Sequence, residues 1–115
     1  MGVLKILDCP QLASIDDDLW IPFKPGIDAL PIYGEPATAG SSALLRYQPG
    51  AQVPEHYHLD VEHILVLSGS QTDKNGCHQA GSLVINGKGT SHSVTSHEGC
   101  IVLAVWSGGL DITIQ

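Results

Sequence analysis

Three histidines, two glutamates and one aspartate fall within the ten positions PEHYHLDVEH, residues 54–63. Imidazole nitrogen and carboxylate oxygen at this density suit iron, manganese, nickel, copper or zinc far better than calcium. On a β-strand side chains alternate between faces, so His56 and His58 share one side with Pro54, and Glu55 and Tyr57 share the other. Two such positions have Cα atoms roughly 6.6 Å apart, over which both imidazoles can reach one ion at about 2.1 Å. Glu62 and His63 are neighbours and take opposite faces, so both cannot point inward without a bulge. A fourth candidate, His92, stands in GKGTSHSVTS, read as a tight, glycine-flanked turn before a strand. Three neutral histidines and one carboxylate leave a divalent ion with net positive charge. In an octahedral site two positions then stay open for water, substrate or dioxygen.

The elements that must position these residues read as strands. VLKIL, LWIPF, SALLRYQ, VEHILVLSG, GSLVIN, GCIVLAVW and LDITIQ are short and rich in β-branched, aromatic or leucine residues. KPG, QPG, DKNG, NGKG, HEG and SGG punctuate them as turns. No segment carries a convincing helical period. PQLASIDDD amounts to one short turn, because Pro10 suits a first helical turn but three aspartates follow at once. The chain has 115 residues, the size of one domain, and many short closely spaced strands in it imply an all-β sandwich or barrel.

Composition excludes several classes of function. The net charge is −7 and only five residues are Lys or Arg, too few for the cationic face that nucleic acid or an anionic membrane surface requires. There is no apolar run long enough to span a bilayer, and the N-terminal MGVLKILDCPQL is too short in apolar length for a signal peptide. Cys9, Cys77 and Cys100 share no CxxC spacing, and a reducing cytoplasm is their simplest home.

A glycine frame sharpens the histidine signal. Gly50, five residues, His56, one, His58, three, Glu62, six, Gly69 reproduces the first motif of the cupin superfamily. Gly81, five residues, Gly87, one, Gly89, two, His92 and three more to Ser96 follows the second motif, with Gly87 replacing the usual proline and Ser96 the usual asparagine. More closely the chain resembles the ChrR-type cupins, through QPGAQVPEHYHLDVEHILVLSGSQTDKNG, then QAG, then SHEGC, a likeness running from about Trp20 to Trp106. The resemblance implies a double-stranded β-helix, or jelly-roll β-barrel, occupying residues 1–115 as one domain with edge strands at both ends. It implies a divalent metal (Fe, Mn, Ni or Zn) near one end of the barrel, held by His56, His58, Glu62 and His92.

Two functions follow from the resemblance. One is a metal-dependent, dioxygenase-like enzyme for a small chelating diketone or enolate, with Glu62 as ligand and proton shuttle. The other is a ligand- or redox-sensing module related to the cupin domain of ChrR-type anti-sigma factors. Their N-terminal zinc domain with its HxxxCxxC pattern has no counterpart before Trp20. A small-molecule ligand and a homodimer paired through VLKIL and LDITIQ are the expected partners.

Arg46, the sole arginine, would anchor a substrate carboxylate if it faced the barrel interior, which alternation alone leaves open. His63 is expected on the far face of its sheet, and His78 and His97 in solvated turns. The run Asp16–Asp18 reads as a solvated loop, and Cys100 as a small buried hydrophobe.

Overall fold

The computed structural model describes residue 12 and residues 14–111, and in it ten antiparallel strands follow one another in the chain. They are β1 (Ile21–Lys24), β2 (Ile27–Tyr33), β3 (Ser41–Tyr47), β4 (Gln52–His58) and β5 (Glu62–Asp73), then β6 (Gly76–Gln79), β7 (Leu83–Asn86), β8 (Ser91–Thr95), β9 (Cys100–Trp106) and β10 (Leu110–Asp111). One sheet runs β1-β2-β3-β9-β5-β7, and the other runs β10-β4-β8-β5-β6. The second sheet carries β4 and β8, the strands of His56, His58 and His92.

β5 belongs to both sheets. Its first part, Glu62–Gly69, pairs with β9, and its last part, Ser70–Asp73, pairs with β6. The transfer happens at Gly69, where φ is 71° and a Cβ would lie 2.0 Å from the Gly99 carbonyl oxygen. Only glycine meets both demands. Ser96 closes the same corner from the other side, its hydroxyl donating to the Ser70 carbonyl at 2.6 Å with no surface exposed.

Alternation places the core. In β9, Cys100, Val102, Ala104 and Trp106 are buried, and they pack with Leu45, Tyr47, Ile64 and Val66 between the sheets. β3 is buried on nearly every residue because its outer face is covered too. There Trp20 and Leu12 pack on Leu30 and Leu44, held by the segment leading into β1. The acidic run is a 3-10 turn over Asp17–Leu19, with the Asp16 side chain accepting from the Asp18 amide at 3.0 Å.

Three strands missing from the sequence reading, β2, β6 and β8, have local causes. β2 was hidden by Pro31, which sits at a register irregularity opposite β3, where a missing N–H is tolerated. β6 and β8 are short and largely polar, without the apolar run by which the other strands announce themselves. VLKIL and residues 112–115 lie outside the described residues, and Leu110–Asp111 pairs with β4 of the same chain. Among the described residues no helix is long and apolar enough to cross a membrane.

Candidate metal centre

His56 and His92 are direct cross-strand partners on β4 and β8, and His58 follows two residues along β4. A register shift between Val53 and His56 lets both of those side chains turn inward although they are three residues apart. His92 is the second residue of β8, inside the strand instead of the turn before it. That turn closes earlier, at Gly87–Thr90, where Thr90 N donates to the Gly87 carbonyl at 3.2 Å.

The three rings meet edge to face, with centroids 5.1 Å apart for His56 and His58, 4.8 Å for His56 and His92, and 4.7 Å for His58 and His92. All three residues are buried. One ligand atom from each lies within 4.8 Å of the others. At this spacing the three residues could hold one metal ion between them.

Hydrogen bonds fix which nitrogen faces the centre. His56 Nδ1–H donates to the Pro54 carbonyl at 2.8 Å, and His92 Nδ1–H donates to Asp73 Oδ2 at 2.9 Å. His58 Nδ1 lies 3.1 Å from the Thr90 carbonyl and 3.0 Å from Thr90 Oγ1. Thr90 Oγ1 spends its own proton on the Gly87 carbonyl at 2.6 Å, so His58 Nδ1 is again the donor. With each Nδ1 donating, the neutral form of each ring turns its Nε2 lone pair to the centre, the form in which histidine binds metals. Burial, opposed by the Pro54 bond and aided by His92, holds the His56 pKa below its usual value and favours that neutral form.

Glu62 stands beside this cluster. Trp106 Nε1 donates to its Oε2 at 2.7 Å and Asn86 Nδ2 to its Oε1 at 2.9 Å. His58 Nε2 is 3.1 Å from Glu62 Oε1, yet it is buried without a well-directed hydrogen bond. A lone pair facing a carboxylate oxygen at this distance is repulsive unless a proton or a metal ion joins them. The donor set therefore fits a metal ion. Burial works against ionised Glu62, but a protonated His58 Nε2, together with the Trp106 and Asn86 donors, outweighs it and holds its pKa below the usual range.

Behind His92 lies a contact the sequence reading missed. The Asp73 carboxylate takes His92 on one oxygen and His78 Nε2–H on the other, also at 2.9 Å. His78 is thus tied to the centre's support instead of standing in a solvated turn. Asp73 belongs to the DKNG turn, whose aspartate was read only as turn chemistry. Such a carboxylate behind a ligating histidine fixes the ring's tautomer and orientation.

A cavity of about 20 Å³ adjoins the rings, enough for one water. His56, Glu62 and His92 face it among apolar walls that include Ile64, Val94 and Trp106. Tyr47 and Gln71 are its other polar residues. Burial raises the Tyr47 pKa well above its normal value, with the nearby Cys100 and Glu62 adding to it, and Gln71 hydrogen-bonds the phenol. The neutral hydroxyl remains a hydrogen-bond donor at physiological pH.

Arg46 is not brought to this site. Its neighbours Leu45 and Tyr47 point inward, so alternation sends it to the outer face, where its guanidinium lies 4.4 Å over Trp20. Asp17 at 2.9 Å and Asp28 at 3.1 Å complete its partners, so one of the three aspartates is an ion-pair residue. His63 is exposed on the far face of β5.

Two predictions arise locally. Gly87, the usual proline position, has φ outside the left-handed region and no atom nearer than 3.8 Å to a built Cβ. Thr90 already fixes the turn, so Gly87→Ala is expected to raise stability by about 0.4–1 kcal/mol in chemical denaturation, by restricting the unfolded chain. Burial pushes the Cys100 thiol up to about 11, with Glu98 adding to it and a Ser96 hydrogen bond opposing. At pH 8 only about 0.1% of it is thiolate. Peptide mapping after brief thiol labelling should show exposed Cys77 modified and Cys100 untouched until the protein is unfolded.

The fold and site define a double-stranded β-helix with a buried histidine cluster able to hold a metal ion. The chain belongs to the ChrR cupin-like domain family, whose model matches residues 10–108. No curated protein matches the sequence.

Among solved structures, an RmlC-like cupin protein from Ralstonia eutropha JMP134 is 25% identical with TM-score 0.70, covering 79% of this chain and 64% of that one. A chain from Rhodobacter sphaeroides SigE in complex with the anti-sigma ChrR is 28% identical with TM-score 0.62, covering 80% of this chain and 47% of that one. An acetylacetone dioxygenase from Acinetobacter johnsonii is 16% identical with TM-score 0.76, covering 96% of this chain and 78% of that one, a likeness of fold alone. The chain thus spans less than two thirds of the Ralstonia and Rhodobacter proteins it matches.

Proposed function

We propose that this protein is a metal-dependent, dioxygenase-like enzyme acting on a small chelating diketone or enolate. The observation that carries the proposal is the set of three buried histidines, each holding its Nδ1 proton on an acceptor and leaving Nε2 free. His56, His58 and His92 would hold the ion, with iron, manganese, nickel and zinc all compatible with the donors. A redox-active ion would supply Lewis acidity toward an enolate and one-electron chemistry toward dioxygen.

The chain's own residues supply the remainder. The apolar walls exclude water, the neutral Tyr47 hydroxyl orients a substrate oxygen, and Glu62 either takes a fourth ligand position or accepts the enol proton. Glu62→Gln separates these roles. A lost ligand lowers metal content, whereas a lost base leaves metal content intact and stops turnover.

The proposal includes a cytoplasmic homodimer. The free thiols Cys77 and Cys100 suit a reducing compartment, and β7, a strand with Leu83 and Ile85 exposed, suits pairing between copies.

A ligand-sensing module is the second reading, favoured by the size of the cavity. About 20 Å³ accepts a water beside the ion but no organic substrate without movement of the walls. Elemental analysis of untagged protein, joined to oxygen consumption with pentane-2,4-dione, distinguishes the two. Stoichiometric iron or manganese with dione-dependent oxygen uptake supports the enzyme. Metal without uptake, over a panel of diketones, favours sensing.

A further inference from the structure

Phe23 occupies an unusual place on β1. The β1–β2 register runs Pro22 to Asp28 and then Lys24 to Ile27, so Phe23 is the extra residue of a β-bulge on an edge strand. Bulges re-aim a side chain, and they concentrate beside active sites. Here the ring is turned toward the core, 6.5 Å from the Trp106 ring at 30°, while Trp106 itself holds Glu62.

The same ring lines two cavities. On its inner side is the 20 Å³ space at the histidines. Phe23 also borders an open cavity of about 290 Å³ with Ile21, Pro22, Ala29, Glu35 and Pro36. The outer space has the volume that the inner one lacks. Its walls are mostly apolar, with Glu35 the one charged residue in the lining, and the Lys24 Nζ lies 5.7 Å from the centre of the Phe23 ring. The net charge of −7 disfavours an anionic ligand at long range, and the apolar walls suit an uncharged arm.

We propose that Phe23 is the port and size filter of the metal centre, dividing the ion's cavity from an outer chamber that receives the apolar arm of a neutral chelating ligand. The proposal rests on the metal reading of the histidine cluster. The ligand's two oxygens would lie toward the histidines and Tyr47, and its arm would pass Phe23 toward Pro22 and Pro36. Phe23 then sets how large that arm can be, as a residue of the short edge strand β1.

Cobalt-loaded wild type, Phe23→Ala and Phe23→Leu test this through the cobalt absorption bands, titrated with azide and with 4-phenylimidazole. Azide, a slim ion far smaller than 4-phenylimidazole, should bind all three proteins with similar affinity. 4-Phenylimidazole should bind Phe23→Ala about tenfold or more tightly than wild type, with Phe23→Leu between them. Equal gains for both probes, or none for 4-phenylimidazole, would overturn the filter.

Benzene binding to the metal-free proteins, followed by NMR, keeps the two readings separate. Phe23→Ala should again gain about tenfold or more, with shifts at Ile64 and Trp106. Absence of the cobalt bands alongside a benzene gain would remove the metal centre and leave the port standing. Cobalt bands without a benzene or 4-phenylimidazole gain would do the reverse. Phe23→Leu, which keeps most of the apolar contact, guards against a fold defect in Phe23→Ala, and thermal melts check both.

Discussion

His58→Ala is expected to lose metal almost completely, with affinity for zinc or cobalt falling by more than about 100-fold. Changes to outer partners of metal ligands already cost about 10–100-fold, and His58 is itself a proposed ligand. It is also the ring whose Nε2 is buried beside the Glu62 carboxylate without a well-directed hydrogen bond. His63→Ala is the matched control, since that ring is exposed on the far face of β5 and should leave affinity unchanged. Competition titration with a chromophoric chelator reads both variants. Equal affinities for His58→Ala and wild type would mean that the ion, if bound, sits elsewhere.

Gly69→Ala should be the most destabilising single-methyl change in the described chain, lowering stability by about 3 kcal/mol or more in chemical denaturation. Two costs add. The left-handed φ of 71° disfavours any side chain, and the new Cβ would lie 2.0 Å from a backbone oxygen that cannot rotate away. The effect should reach the metal centre, because Gly69 directs the end of β5 toward β6 and β8 and so carries Asp73 to His92. A variant as stable as wild type would show that β5 changes sheets by some other means.

The same residues show what a sequence can and cannot disclose. His56 and His58 were legible together because period-two alternation needs no knowledge of the fold; it also put Glu62 and His63 on opposite faces, and the cupin motif chose Glu62 as the inward one. The glycine frame was legible as a pattern, and Gly69 shows the physical demand behind it. Asp73 was hidden, since it reaches His92 only through the bend of β5 and the pairing of Thr72 with Thr95. Arg46 could not be oriented until Leu45 and Tyr47 were known to face inward. Glu62 was legible as an inward carboxylate, but its Trp106 and Asn86 donors come from strands 44 and 24 residues away.

The most direct measurement is two-bond proton–nitrogen NMR of the histidine side chains in metal-free protein, followed by one equivalent of zinc. His56, His58 and His92 should each show the Nδ1–H tautomer, and His78, whose Nε2–H donates to Asp73, should show the other. Zinc should then shift the Nε2 resonances of the first three and spare His63 and His97. Nε2–H tautomers at the three buried rings, or zinc-induced shifts confined to other histidines, would contradict a centre built from His56, His58 and His92.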